Sequence, residues 1–139
     1  MKMKKFILSL FASMLLTTAL WAQSTTENTN QNPADAKVKF AKETIDFGKT
    51  ELNKPVSVDF EFTNISKEPI LIEAARASCG CTTPKWTQEP ILPGKKGKVT
   101  ANYSANGLGQ QNKTIWVKFR GVDQDKELHL TGVVGSNNK

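Results

Sequence analysis

The stretch "PVSVDFEFTN", residues 55–64, decides the architecture of this chain. Val56, Val58, Phe60 and Phe62 alternate with Ser57, Asp59 and Glu61. Successive side chains of an extended strand point to opposite faces, so a period of two puts the four apolar residues on one face and the polar ones in water. The same beat returns in "KVTANY" (98–103) with Val99, Ala101 and Tyr103, and in "KTIWVKF" (113–119) with Ile115, Val117 and Phe119. It returns again in "ELHLTGVV" (127–134) with Leu128, Leu130, Gly132 and Val134. Turn formers separate these runs: "NISKEP" (64–69), Pro93-Gly94, Asn106-Gly107 and the segment from Gly121 to Asp125. Pro93-Gly94 suits a type II turn, because proline presets the first corner and glycine accepts the positive φ of the second. No segment after residue 22 carries a 3.6-residue apolar stripe. Short strands at roughly 8 to 12 residue spacing predict an all-β chain, an immunoglobulin-like β-sandwich of about seven strands.

Two further segments are less regular. "VKFAKETIDFG" (38–48) supplies a first strand and a bend, anchored by Phe40, Ile45 and Phe47. "PILIEAARAS" (69–78) alternates Ile70, Ile72 and Ala74 on one face with Leu71, Glu73 and Ala75 on the other, and delivers the chain into "ASCGCTTPKW" (77–86). That stretch holds both cysteines, Cys79 and Cys81, with Gly80 alone between them.

The amino terminus sets the compartment. Met1-Lys2-Met3-Lys4-Lys5 precedes the apolar block "FILSLFASMLLTTAL", which ends in "WAQ". A basic head, an apolar run shorter than the roughly 20 residues of a membrane span and a small residue, Ala22, read as a secretory signal over 1–22. No cysteine follows Ala22 directly, which closes the lipoprotein route. Residues 23–36, "QSTTENTNQNPADA", hold no aliphatic side chain larger than alanine and read as a flexible polar linker. Residues 37–135 form one domain of ordinary size, with a disordered tail over 136–139. The mature protein is therefore expected in the periplasm or outside the cell, without membrane insertion.

Charge adds little. Of 19 basic residues, Lys2, Lys4 and Lys5 leave with the signal, so 16 basic face 13 acidic residues, a net +3. That modest excess on an exported chain argues against a nucleic-acid partner, and Lys95, Lys96 and Lys98 read as a solvated turn.

Several of these pieces together resemble a known family. "IDFGKT", "VSVDFEFTNISKEPILIEAARASCGCTTPKW", "EPILPGKKGKVTANY", "NKTIWVKF" and "LHLTGVV" occur in that order, and the set resembles the secreted bacterial proteins grouped as domain of unknown function 1573. Ser78-Cys79-Gly80-Cys81-Thr82 is the most specific element, supported by Asp46-Phe47-Gly48, by Pro93-Gly94 with Gly97, and by Pro84 and Trp86. The resemblance implies an immunoglobulin-like module of the hydin and major sperm protein type. It transfers no catalytic residue.

The cysteine pair admits several readings. As a staple it is weak: closing about three residues contributes only about 1.6 kcal/mol on the chain-entropy model. Cα atoms two residues apart in an extended strand lie roughly 6.6 to 7.2 Å apart, at or beyond the workable limit near 6.8 Å for a disulfide. Either the chain contracts at Gly80 and the sulfurs bond, or an extended segment keeps two thiols on one face. An oxidising compartment favours the Cys79–Cys81 bond.

Metal and redox chemistry have thinner support. A closed zinc site takes about four ligands, whereas this chain offers two thiols and one imidazole, His129, which flanking Leu128 and Leu130 turn toward solvent. Two thiolates suit a soft ion such as Cu(I), although the mature chain keeps no methionine to assist. A thiol oxidoreductase lowers its nucleophile's pKa with a helix N-terminus or a cation, and only Arg76 and Lys85 stand near. Pro84, Trp86 and Tyr103 read as packing residues, whereas Trp116 falls in the outward register as a contact candidate. The triplets Asn64-Ile65-Ser66 and Asn112-Lys113-Thr114 match the eukaryotic glycosylation pattern and are discounted in a bacterial chain.

The reading that follows is a non-catalytic binding or scaffolding module of the cell envelope, with no cofactor and an envelope or secreted protein as partner. Its contact site is the loop 77–86, with Ser78, Cys79, Gly80, Cys81, Thr82 and Trp86 as the residues involved, and sheet edges open to strand addition are the second option. Thiol-disulfide exchange through Cys79 and Cys81 is the alternative, and Cu(I) capture the third.

Overall fold

The computed structural model describes residues 31–136. The expected signal (1–22), the linker up to residue 30 and the last three residues lie outside the described residues.

Eight strands build two four-stranded sheets, an immunoglobulin-like β-sandwich. They are β1 (Val38–Phe40), β2 (Thr44–Glu51), β3 (Val56–Asn64), β4 (Ile72–Ala77), β5 (Thr82–Trp86), β6 (Lys96–Tyr103), β7 (Gly109–Phe119) and β8 (Lys126–Gly135). One sheet has the order β1-β3-β6-β5 and the other β2-β8-β7-β4. Neighbours are antiparallel except β2, which runs parallel to β8.

The four segments with the clearest period of two are the four inner strands, β3, β6, β7 and β8. Their inward residues Phe60, Phe62, Val99, Ala101, Tyr103, Ile115, Val117, Phe119, Leu128, Leu130 and Val134 are all buried. At one end Phe62 packs at a tilt against Phe40 at 5.1 Å and meets Phe119 edge-on at 5.5 Å between ring centroids. Toward the other end Phe47 lies 5.8 Å from Tyr103. Such aromatic pairs add about 0.5 to 1.5 kcal/mol each beyond the area they bury.

Two of these rings are seated on glycine. A Cβ on Gly97 would come 2.5 Å from the Phe62 ring, and one on Gly132 would come 2.4 Å from the Phe47 ring. Gly97 is the direct partner of Phe62 across β3 and β6, so the missing side chain lets the ring lie down over the neighbouring strand.

The edges differ from the sequence reading. The segment 38–48 serves both sheets: β1 pairs with β3, and the chain then crosses so that β2 pairs with β8. In β4 a bulge falls between Ile72, opposite Phe119, and Ala74, opposite Lys118. The extra residue, Glu73, reverses the alternation, so Ala75 packs against the core and Ala74 is exposed, opposite to the expected faces. Residues 82–86 form β5, paired with β6, where a loop was expected, and this raises the strand count from about seven to eight.

The domain also begins before residue 37. Pro33–Ala36 form a 3-10 turn with Ala34 wholly buried. Asn32 caps it, its side chain accepting from Ala34 N at 2.9 Å and donating to Asp125 O at 2.7 Å. Asp35 reaches Lys126 at 2.5 Å, and Glu43 reaches the same ammonium at 2.7 Å. A count of large aliphatic residues missed this turn, because one alanine and three polar anchors suffice to hold it.

Among the described residues Lys126 is the one buried charge, with its side chain 5% exposed. Burial alone would lower its pKa, but the hydrogen bonds and charges of Asp35 and Glu43 outweigh that and raise it above the ordinary 10.5. A raised lysine pKa contributes stability fully present below the unfolded value and lost as pH rises through the folded one.

Two outcomes follow from this packing. Gly132→Ala drives a methyl into the Phe47 ring and lowers unfolding stability by about 1 to 3 kcal/mol, read from urea melts. Wild-type stability falls as pH climbs above the lysine range, and Lys126→Met removes that component of the alkaline decline, read from thermal midpoints of the two proteins across alkaline pH.

Candidate functional site

Residues 78–81 carry the chain from one sheet to the other, since β4 ends at Ala77 and β5 starts at Thr82. Cys79 and Cys81 are joined there by a disulfide with Cα atoms 5.2 Å apart, inside the workable range of roughly 4.4 to 6.8 Å. Thr82 N donates to Cys79 O at 3.3 Å and closes the turn. The corner is tied down on both sides. Ser78 N donates to Thr114 O at 2.9 Å, and Thr114 N returns a bond to Ser78 Oγ at 3.2 Å. Ser104 donates to Cys81 O from its amide at 2.9 Å and from its hydroxyl at 3.1 Å.

Gly80 plays a different part from the one expected. The chain contracts there without entering the positive-φ region that five other glycines occupy. A Cβ on Gly80 would meet nothing within 4 Å. The backbone therefore does not require glycine at this position; what glycine does is leave the corner bare. Ser78 and Gly80 are exposed and the two cysteines half-buried. A shallow groove of about 240 Å³ runs beside them, past Pro55, Thr83, Asn102 and Ser104.

Two residues of the expected contact loop turn toward the core, and for Trp86 this agrees with its reading as a packing residue. Thr82 is buried, its hydroxyl 3.8 Å from Cys79 Sγ and 4.0 Å from Cys81 Sγ. Trp86 packs against the core as a strand residue, and its indole N–H is buried without a partner. The accessible part of the site is thus Ser78, Cys79, Gly80 and Cys81, brought together within one turn, with Thr82 beneath them and Trp86 at the far end of β5.

Neighbouring structure braces the corner. Tyr103 OH donates to Gln111 Oε1 at 2.8 Å, both side chains being buried, and Gln111 Nε2 donates to Gly107 O, Leu108 O and Gly109 O at 3.0 to 3.2 Å. Burial raises the Tyr103 pKa above its usual value. Beside this loop lie Asn53 and Ala105, the two non-glycine residues of positive φ among those described, at 60° and 54°. Asn53 N donates to Ala105 O at 2.9 Å, so the two are coupled. Backbone held in this region stores energy and clusters at functional sites. Sequence reasoning missed Gln111; its signal was a polar residue in the same register as Ile115, four positions before it.

Arg76 and His129, considered for chemistry at the sulfurs, have other partners. Arg76 pairs with Asp125 at 3.0 Å and covers the Trp116 ring at 4.6 Å on the outer face. Trp116 donates its indole N–H to Glu127 at 3.0 Å. His129 lies half-buried on that face, its Nδ1 3.4 Å from Thr114 Oγ1. Among the described residues no three of His, Cys, Asp or Glu converge on a point that could hold a metal. Asn64 is fully buried, its amide donating to Glu68 O and Ile91 O, so it anchors the β3–β4 turn rather than offering a modification site.

Residues 38–134 match the sequence profile of the family described as protein of unknown function (DUF1573). The chain belongs to this family. Solved structures give this DUF1573 domain its fold relatives. A protein of unknown function from Porphyromonas gingivalis W83 aligns with a TM-score of 0.61 at 12% identity, covering 70% of this chain and 46% of its own. The chain thus spans less than half the length of that protein. The ASH/PapD-like domain 7 of human CEP192 aligns with a TM-score of 0.58 at 14% identity, covering 73% and 87%. The VesB protease of Vibrio cholerae aligns with a TM-score of 0.55 at 13% identity, covering 71% and 32%. At such identities the likeness is one of fold. Among curated proteins no sequence matches. No helix of the described residues is long and apolar enough to cross a membrane.

Gln111→Leu strips the Tyr103 hydroxyl of its partner and frees three loop carbonyls. We expect a stability loss of about 1 to 3 kcal/mol, read from urea melts, with faster amide exchange over residues 104–109.

Proposed function

We propose that the DUF1573 domain is an exported, non-catalytic binding or scaffolding module of the bacterial envelope, and that the corner Ser78–Cys81 is its contact site. One observation carries this reading: a disulfide that adds little to stability is held at the crossover between the sheets by bonds from β7 and from Ser104, with a glycine that leaves it uncovered. Such a crosslink fixes the shape of a protruding turn. Shape fixed before contact lowers the ordering cost of binding, and rigid scaffolds commonly present binding residues on turns of this kind. Export, with cleavage near Ala22 and delivery to the periplasm or the medium, rests on the amino-terminal pattern.

Thiol-disulfide exchange is the second reading, and the half-exposed sulfurs beside bare Gly80 favour it. A partner thiolate would attack one sulfur and form a mixed disulfide. The other sulfur would leave as a thiolate, and a second partner thiol would complete the transfer. Against it, the Arg76 guanidinium is engaged by Asp125 and Trp116 and is not held for the sulfurs. Capture of Cu(I), the third reading, requires the bond to be reduced first.

Capture from envelope extract by wild type and by the Cys79→Ser/Cys81→Ser variant, side by side, tests the assignment. A partner held by wild type and lost by the variant, with the fold intact by circular dichroism, is the expected result. Equal capture by both removes the corner from the contact surface. Rapid exchange of wild type with glutathione, at a potential near those of known oxidoreductases, moves the function to the second reading.

A further inference from the structure

Four strands lie at sheet edges, and three of them are blunted. β1 has only three residues. β2 carries a bulge between Asp46 and Lys49, with Gly48 at φ 74°, and bears Asp46, Lys49 and Glu51. In β5 the bonds Ser104 N to Cys81 O and Thr87 N to Lys98 O set which residues bond to β6, and leave the backbone groups of Thr82, Pro84 and Trp86 at the open edge while their side chains point inward. Thr82 N is already used by Cys79 O, and Pro84 has no N–H to offer.

β4 is different. Ser78 N donates to Thr114 O, continuing the register of Ala77 opposite Ile115. Bonded and non-bonded pairs alternate along an antiparallel ladder, so Arg76 and Ala74 also bond toward β7. Ala75 and Ala77 therefore turn their N–H and C=O groups to the open edge, and no other group among the described residues takes them. The run Ala74-Ala75-Arg76-Ala77 has no proline and no lysine, the usual guards of an exposed edge.

We propose that β4 accepts an extended peptide segment of a partner protein as an added strand, with an acidic residue opposite Arg76 and apolar residues opposite Ala75 and Ala77. The hydrogen bonds come from the two alanines. On the inner side Ala75 is packed on the core and Ala77 is half-buried, so larger apolar side chains of the incoming strand have room above them. On the outer side Arg76 is 65% exposed and meets Asp125 through one nitrogen, so its other donors remain for a second carboxylate. The same charge argues against a second copy of this chain, because two-fold pairing that bonds Ala75 to Ala77 of the copy centres on residue 76 and would set Arg76 against Arg76. The proposal deepens the binding reading, on a different surface that starts where the corner ends.

The test uses isotope-labelled mature protein and a capped synthetic peptide, Ser-Val-Glu-Val-Glu-Val-Ser, with two control peptides. One control replaces Glu by Lys, and the other is N-methylated at alternate amides. We expect the glutamate peptide to protect the Ala75 and Ala77 amides from exchange, and the N-methylated one to bind at least about tenfold more weakly. Ala75→Pro removes no internal hydrogen bond and should lose binding by a similar factor, while Arg76→Glu should shift preference to the lysine peptide. Protection on β2 or β5 instead, equal binding of all three peptides, no binding of the glutamate peptide, or concentration-dependent protection without peptide would each overturn the proposal. The Cys79→Ser/Cys81→Ser variant separates the two readings: peptide binding in it stands or falls independently of partner capture by the corner.

Discussion

The burial of one face of each of four inner strands is the constraint on which everything else rests. β3, β6, β7 and β8 contribute alternate residues to a single layer between the sheets, and their fully buried side chains include Phe60, Phe62, Tyr103, Ile115, Phe119, Leu128 and Leu130. Because the side-chain period is two, a slip of one residue in any of these pairings would send a whole apolar set into water. That penalty fixes register, and register in turn fixes where each turn emerges. The glycines beneath Phe62 and Phe47 belong to the same logic, since a flat ring over a strand needs an absent Cβ.

How much could be read beforehand follows the same division. The inner strands were legible because a strand with neighbours on both sides and one buried face shows clean alternation, as residues 56–62 do. The edge strands were not. β4 hides a bulge at Glu73, which no local pattern announces, and β5 has Thr82, Pro84 and Trp86 inward with only Thr83 and Lys85 outward, too short a run to separate from a loop. The turn at Pro33–Ala36 escaped notice for another reason: its stability lies in partners ninety residues away, Asp125 and Lys126, which sequence proximity cannot reveal.

At the site, the cysteines and their proximity were evident from the sequence, and so was the disulfide as the favoured state in an oxidising compartment. The role of Gly80 was not. Its φ and its empty surroundings come only from three-dimensional structure, and they shift the question from how the bond is closed to why it is left open to view. Gln111 gives the opposite lesson. A single buried amide satisfies a tyrosine hydroxyl and three carbonyls, and so fixes the loop that abuts the corner without belonging to any recognisable motif.

The turn at Pro33–Ala36 leads straight into β1, where Val38 pairs with Asn64 at one end of β3, whereas Thr82 and Tyr103 lie level with Val56 at the other. Eight residues of strand, roughly 27 Å, separate the two levels. Whatever holds the polypeptide upstream of residue 31 therefore grips the foot of the sandwich, and the crosslinked turn stands at its head. The molecule is polarised lengthwise, like a short mast whose rigging is Asn32, Asp35 and Lys126.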